Sequence, residues 1–189
     1  MKIISLLASP HGLNDNTAGL LQFVLDGARA EGAQTETVVL KGGTLLPCLG
    51  CDNCHKKGRC ARVDDFEPVK EKIMASDGLV LASPNYIFNV SAQLKAFMDR
   101  CCGVVHCMSF WGKYGASVVT SGGGGDEAVT QYIERFPGVD GRTARRERVG
   151  SHVPDAARRP FYGGSEKKRP RAWKKAGRGL EDGSVAARG

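Results

Sequence analysis

Apolar positions along this chain follow two rhythms that alternate. Residues 2–8 form a short, almost continuous apolar run, the pattern of a strand buried on both faces. A loop of turn formers follows, Ser9-Pro10-His11-Gly12-Leu13-Asn14-Asp15-Asn16. Leu21, Val24, Leu25 and Ala28 then fall on one helical stripe, which Gly32 ends. Residues 35–40 read as a second strand. Beyond a loop at 41–63, Phe66, Val69 and Ile73 give a second helix its buried face, and Asp64 with Glu67 has the spacing of a capping box. Residues 78–82 predict a third strand, broken by Ser83-Pro84-Asn85-Tyr86. Ser91 is placed to cap a helix whose inner face is Leu94, Phe97 and Met98. Residues 116–119 predict a fourth strand, followed by Ser121-Gly122-Gly123-Gly124-Gly125 and a helix around 126–136.

This β-α alternation implies an α/β fold, a doubly wound and mainly parallel sheet with helices on both faces. In such sheets ligands sit beyond the carboxyl ends of the strands, at a topological switch point. The loops after strands one, three and four are the ones rich in Ser, Asn, Gly and Pro, and they are expected to meet there.

The pattern stops after Phe136. Residues 137–189 hold few large aliphatics and no regular period, so the chain divides into a domain at 1–136 and a C-terminal segment at 137–189. Charge divides at the same point. The formal net charge of +7 comes from 13 Lys and Arg against 14 Asp and Glu over 1–136, and 14 against 6 over 137–189. Basicity therefore says nothing about the first domain. In the second it allows binding to nucleic acid or an acidic partner, although a solvated tail with no partner is the simpler reading. Pro137-Gly138-Val139-Asp140-Gly141-Arg142 offers no apolar run, which makes a further, fifth strand doubtful. The segment reads as a divergent, disordered end or as an out-of-frame reading of a GC-rich gene. The apolar start is too short for a secretory signal, and no stretch approaches the roughly 20 apolar residues of a membrane span, so a soluble cytoplasmic protein is expected.

Three loops carry candidate chemistry. Ser9, Asn16 and Thr17 stand where a strand enters a helix, and hydroxyls with free N–H groups at a helix N-terminus suit a phosphate. Asn16 or Thr17 as a plain N-cap fits equally well. Pro84, Asn85, Tyr86, Ile87 and Phe88 follow a buried strand and combine apolar faces with edge hydrogen bonds, which a flat heteroaromatic ring requires. The alternative has Tyr86 and Phe88 packing in the core. Thr120, Ser121, Gly122 and Gly123 can bring backbone N–H groups close to a ligand, or form only a flexible connection.

Seven cysteines, an odd number, argue against a disulfide framework. Four of them form Cys48-x2-Cys51-x2-Cys54-x5-Cys60. The x2 steps let successive thiolates converge on one small inorganic core, as in bacterial ferredoxins. Lys56, Lys57 and Gly58 supply a turn that returns Cys60 to the same place, and neighbouring basic residues favour thiolates. A four-cysteine zinc site and unmetallated thiols remain open on these residues. Cys101, Cys102 and Cys107 lie in or just beyond a helix and read as buried or interfacial thiols.

Taken together, Ser9-Pro10 with Asn16-Thr17, the block from Ser83-Pro84-Asn85-Tyr86 to Ser91-Ala92-Gln93-Leu94-Lys95-Ala96-Phe97-Met98-Asp99-Arg100, and Val119-Thr120-Ser121-Gly122-Gly123 are similar to the NAD(P)H-dependent FMN reductase family of flavodoxin-like proteins. Within it the chain resembles the iron–sulfur flavoproteins, over about residues 1–136. The resemblance implies a flavodoxin-like strand order of 2-1-3-4-5 and an FMN whose phosphate meets Ser9, Asn16 and Thr17. His11 stands in that loop where relatives often carry Arg. Ring and ribityl contacts are implied for Pro84, Asn85, Tyr86, Ile87, Phe88 and the segment from Thr120 to Gly123. One [4Fe–4S] cluster is implied on Cys48, Cys51, Cys54 and Cys60. The expected function is a flavin-dependent oxidoreductase passing electrons between FMN and cluster, fed by ferredoxin or NAD(P)H and assembled as a homodimer or homotetramer. A cluster-free NAD(P)H:FMN or quinone reductase is the alternative.

Overall fold

The computed structural model describes residues 1–136. The segment at 137–189 lies outside the described residues, and with it the questions of a fifth strand and of an altered reading frame. Four parallel strands, β1 (Lys2–Leu7), β2 (Gln34–Val39), β3 (Gly78–Pro84) and β4 (Tyr114–Thr120), pair in the order β2-β1-β3-β4. This is the expected flavodoxin-like order as far as the described residues run. Between the strands lie α1 (Asn16–Ala30), α2 (Asn53–Lys57), α3 (Phe66–Met74), α4 (Ala92–Arg100) and α5 (Cys102–His106), and α6 (Asp126–Glu134) follows β4.

The period-2 alternation inside β1 assigns its side chains to two cores. Ile4, Leu6 and Ala8 join Leu79 and Leu81 against α3, α4 and α6, through Phe66, Val69, Ile73, Leu94, Phe97, Val129 and Ile133. Ile3 and Leu7 join Val80, Ala82 and Val118 on the opposite face, against Ala18, Leu21 and Leu25 of α1. Helices thus cover both faces. Every residue of β3 is buried, as befits a strand with neighbours on both sides and helices above and below.

Three local features differ from the sequence expectation. Ser83 and Pro84 do not break β3, because they pair with Val119 and Thr120 of β4. Pro84 is the last residue of β3, so the N–H it lacks falls at the end of the ladder. Asp64 and Glu67 form no capping box. Asp64 accepts the Phe66 N–H at 3.1 Å, while Glu67 turns outward and accepts the Cys60 N–H at 2.8 Å. Neither Asn16 nor Thr17 caps α1. Asp15 does, accepting the Ala18 N–H at 2.8 Å.

Candidate functional site

At the carboxyl ends of the strands, two loops meet where β1 and β3 lie side by side. Ser9, fully buried, donates its hydroxyl to the Asp15 carboxylate and accepts the His11 N–H at 3.2 Å. The side chains of His11 and Asn16 are exposed, whereas Thr17 is buried. Thr17 Oγ1 lies 2.7 Å from Thr120 Oγ1, which ties the loop after β1 to the end of β4. The Asp15 carboxylate therefore occupies the anion position at the start of α1, held by a hydroxyl and a helix N–H.

The loop after β3 is bound to the loop after β4. The Asn85 N–H donates to the Thr120 carbonyl at 2.7 Å, and its Nδ2 donates to Gly124 O at 2.8 Å and Ser121 Oγ at 3.2 Å. Its Oδ1 is buried without a partner. Tyr86 and Asn89 exchange backbone hydrogen bonds of 2.9 and 3.1 Å around Ile87 and Phe88. Both central residues are left-handed, at φ 49° and 59°. That is the backbone of a tight hairpin turn normally filled by Asn and Gly. Tyr86, Ile87 and Phe88 are not core residues: Ile87 is 92% and Phe88 74% exposed. Gly125 (φ 78°) is required here, since a Cβ on it would lie 2.7 Å from the Phe88 ring. Gly122 and Gly123 are exposed, and a Cβ on either would meet open space.

These residues suit a flavin mononucleotide. The start of α1 offers donors for an oxyanion, the Ser9 hydroxyl and the Ala18 N–H, which Asp15 now takes. The loop after β3 exposes the apolar Ile87 and Phe88. An unpartnered buried acceptor on Asn85 matches an N–H on the edge of a flavin ring.

The loop between β2 and α3 forms a separate pocket lined by Cys48, Cys51, Cys54 and Cys60, together with Arg62, Arg100 and Cys102. The expected turn is present: Gly58 (φ 69°) donates its N–H to Cys54 O at 3.0 Å and sends the chain back toward Cys60. Cys102, expected as a buried or interfacial thiol, is exposed and lines the pocket, Cys107 is also exposed, and Cys101 is fully buried. Burial pushes the Cys101 thiol far up, so it stays protonated. His55 bridges between Asp52 Oδ1 at 2.5 Å and Cys102 Sγ at 3.7 Å.

Arg100 and Asp64 anchor the pocket to α4. Arg100 is 3% exposed. It is paired to Asp64, donates from Nη1 to Leu46 O at 3.3 Å and from Nη2 to Cys60 Sγ at 3.2 Å, and lies 4.4 Å from the centre of the Phe66 ring. Burial pushes the Asp64 carboxyl up, but the Arg100 guanidinium and the Leu46 and Phe66 N–H groups outweigh it and hold the carboxyl below its ordinary value. The Nε atoms of Arg100 and Arg62 are buried without a partner. Among the described residues no three His, Cys, Asp or Glu side chains converge as ligands of a single metal ion. A cluster, whose own irons and sulfides fill the centre, spaces its thiolates more widely than one ion does. Unpartnered donors on two pocket arginines fit an anionic, sulfide-rich group.

Sequence reasoning missed Asp15, Gly125, Arg62, Arg100 and Cys102. Two of these left a signal. Asp15 precedes the first apolar stripe as an N-cap should. Arg100 stands three residues after Phe97 and so continues the buried stripe of α4, where a charge needs a partner.

The family model described as NADPH-dependent FMN reductase matches residues 1–153. The chain belongs to the NADPH-dependent FMN reductase family. It is a flavin-dependent oxidoreductase. An iron–sulfur flavoprotein of Methanocaldococcus jannaschii is 36% identical over 138 residues, covering 72% of this chain and 71% of that protein. An iron–sulfur flavoprotein of Archaeoglobus fulgidus is 36% identical over 136 residues, 71% of this chain and 61% of the relative. Among solved structures, RosB with a bound flavin-phosphate intermediate superposes with a TM-score of 0.61 at 18% identity, over 76% of this chain and 60% of that one, a likeness of fold. The described FMN reductase domain contains no helix long and apolar enough to cross a membrane.

Proposed function

We propose that this FMN reductase family member holds FMN in the loops after β1, β3 and β4, holds a [4Fe–4S] cluster on Cys48, Cys51, Cys54 and Cys60, and passes electrons between the two. The observation that carries the reading is the cysteine pocket, in which all four thiols line one cavity with two arginines whose Nε donors are unsatisfied. The names of the M. jannaschii and A. fulgidus relatives support it. When bound, FMN exchanges electrons in pairs or singly and the cluster exchanges them singly.

The chain's own part is positional. Ser9 and Thr17 would hold the phosphate at the start of α1, with Asn16 and His11 at its open side. Asn85 locks the third and fourth loops together through Thr120, Ser121 and Gly124, and its Oδ1 would accept from the ring edge. Pro84, Tyr86, Ile87 and Phe88 would face the ring, and Thr120 to Gly123 the ribityl chain. No side chain acts as nucleophile or general base. NAD(P)H is the donor that the family description supports, with ferredoxin as the one-electron alternative. A homodimer or homotetramer in the cytoplasm completes the reading, and the basic segment takes no nucleic acid.

Anaerobically purified protein tests this directly. Visible spectra with flavin, iron and acid-labile sulfide assays should give FMN together with about four irons and four sulfides per chain. Flavin without iron and sulfide would sink the cluster and leave the flavin site standing. Undiminished NAD(P)H oxidation after Cys51→Ala and Cys54→Ala would mark a cluster-free reductase.

A further inference from the structure

We infer that Arg100 holds and tunes the cluster, raising its reduction potential through the positive end of its pair with Asp64 and a hydrogen bond to the ligand sulfur of Cys60. This rests on the cluster reading above.

A buried guanidinium is costly unless it is paired and hydrogen-bonded. Asp64 neutralises Arg100 and takes up Nη1. If the pair served only to hold the loop to α4, the remaining nitrogens would be expected to end on carbonyls. Nη1 also reaches the Leu46 carbonyl at 3.3 Å, but Nη2 donates to the sulfur of Cys60, 3.2 Å away, and Nε has no acceptor. Arg62, from the same pocket wall, repeats the pattern with its own unpartnered Nε. Two unsatisfied donors and one thiol-directed donor stand among four cysteines, with Asp52 and Asp99 also on the lining, and offer hydrogen bonds to a group rich in sulfur acceptors.

The charge has a direct redox consequence. One-electron reduction adds one negative charge to the cluster. Arg100 lines the pocket and Asp64 does not, so the pair turns its positive end to the cluster. That end stabilises the reduced form more than the oxidised form, and a hydrogen bond to a ligand sulfur acts in the same direction. Arginine stays protonated throughout, so Arg100 itself takes up no proton with the electron. Arg100 touches only a ligand sulfur, and its role is positioning and electrostatic.

The test is EPR-monitored potentiometry of the anaerobic full-length protein, with dithionite as reductant and with iron, sulfide and FMN contents measured in every sample. The Arg100→Gln/Asp64→Asn double variant removes both charges and leaves no unpaired carboxylate. Its equilibrium constant for cluster reduction should fall severalfold, where tenfold is about 59 mV for one electron, while the FMN midpoint stays in place. Arg100→Lys keeps the charge but cannot reach Asp64 and Cys60 together. It should keep the cluster and lower the midpoint by a smaller step. An unchanged midpoint in an iron-replete double variant overturns the assignment, and if that variant loses its cluster, an unchanged midpoint in Arg100→Lys does so. Wild-type protein with FMN but no iron or sulfide overturns the cluster reading itself, a result distinct from either.

Discussion

Asp15 is the residue that most changes the picture of the flavin site. Its carboxylate takes both donors that a phosphate would want, the Ser9 hydroxyl and the Ala18 N–H. It stabilises α1 as an N-cap and competes with the ligand for the same end of the helix dipole. Asp15→Ala should therefore have opposite effects on the two states. The flavin-free protein loses about 1 kcal/mol of stability, and FMN binding tightens about tenfold because the phosphate takes over the cap. Riboflavin, which has no phosphate, should bind as before. Fluorescence titrations with both ligands check this, and equal effects on FMN and riboflavin would remove Asp15 from the phosphate site. Asp64 gives a second residue-scale expectation. Its carboxyl is held below its ordinary value in the folded state. The ion pair with Arg100 therefore contributes fully above the ordinary aspartate range and is lost as pH falls through the lowered folded value. Urea midpoints should drop as pH falls below the ordinary aspartate range. In Asp64→Asn the acid limb should be flatter, and stability at neutral pH should fall by about 3–5 kcal/mol, because Arg100 is left buried without its countercharge.

Among the elements, the turn at Ile87-Phe88 stands out. Each of its left-handed residues costs about 1–2 kcal/mol relative to a glycine there, and strain of this kind persists where the surroundings or a ligand require it. Asn and Gly at these positions, as Ile87→Asn with Phe88→Gly, should raise stability by about 1–2 kcal/mol and weaken FMN binding through loss of apolar contact. Thermal unfolding paired with an FMN titration decides the matter: a stabilised variant with unchanged FMN affinity would show that these side chains do not touch the flavin. Most elements were legible in the sequence because each carries an undiluted period. The continuous apolar run of β1 and the i, i+3, i+4 stripes of α1, α3 and α4 predict their own burial. The misjudged points depend on contacts across the chain. Pro84 is a strand residue because Thr120 lies beside it. Asp64 gives one oxygen to the Phe66 N–H and the other to Arg100, thirty-six residues away. The three candidate flavin loops were legible as turn-rich segments after strands. The locking role of Asn85 through Gly124 was not, since nothing local to either residue announces it.

Over the molecule as a whole, α4 is the shared wall of the two candidate sites. It starts directly after the strained turn and ends on Arg100 in the cysteine pocket, a span of about 13 Å at 1.5 Å per residue. Its flavin end is fastened by Ser91, which is fully buried. The Ser91 hydroxyl donates to Ala8 O at 2.5 Å and accepts from the Leu94 N–H at 3.4 Å, and its own N–H donates to Ser83 Oγ at 2.9 Å. One residue thus ties together the end of β1, the end of β3 and the start of α4, at the point where the sheet order turns from β1 toward β2 on one side and β3 on the other. Ser91→Ala leaves a buried Ala8 carbonyl without its donor, which should cost about 1–3 kcal/mol of global stability. Because Ala8 leads straight into the phosphate loop and Ser83 into the ring loop, the same change should weaken FMN binding severalfold even where the protein remains folded. The far end of α4 is held independently by Arg100, Asp64 and Phe66, so iron content should be unaffected. Denaturation midpoints, an FMN titration and an iron assay on the one variant separate these effects. Lowered stability with intact FMN affinity would show that Ser91 belongs to the packing of the sheet alone, and simultaneous loss of iron would show that α4 moves as a unit.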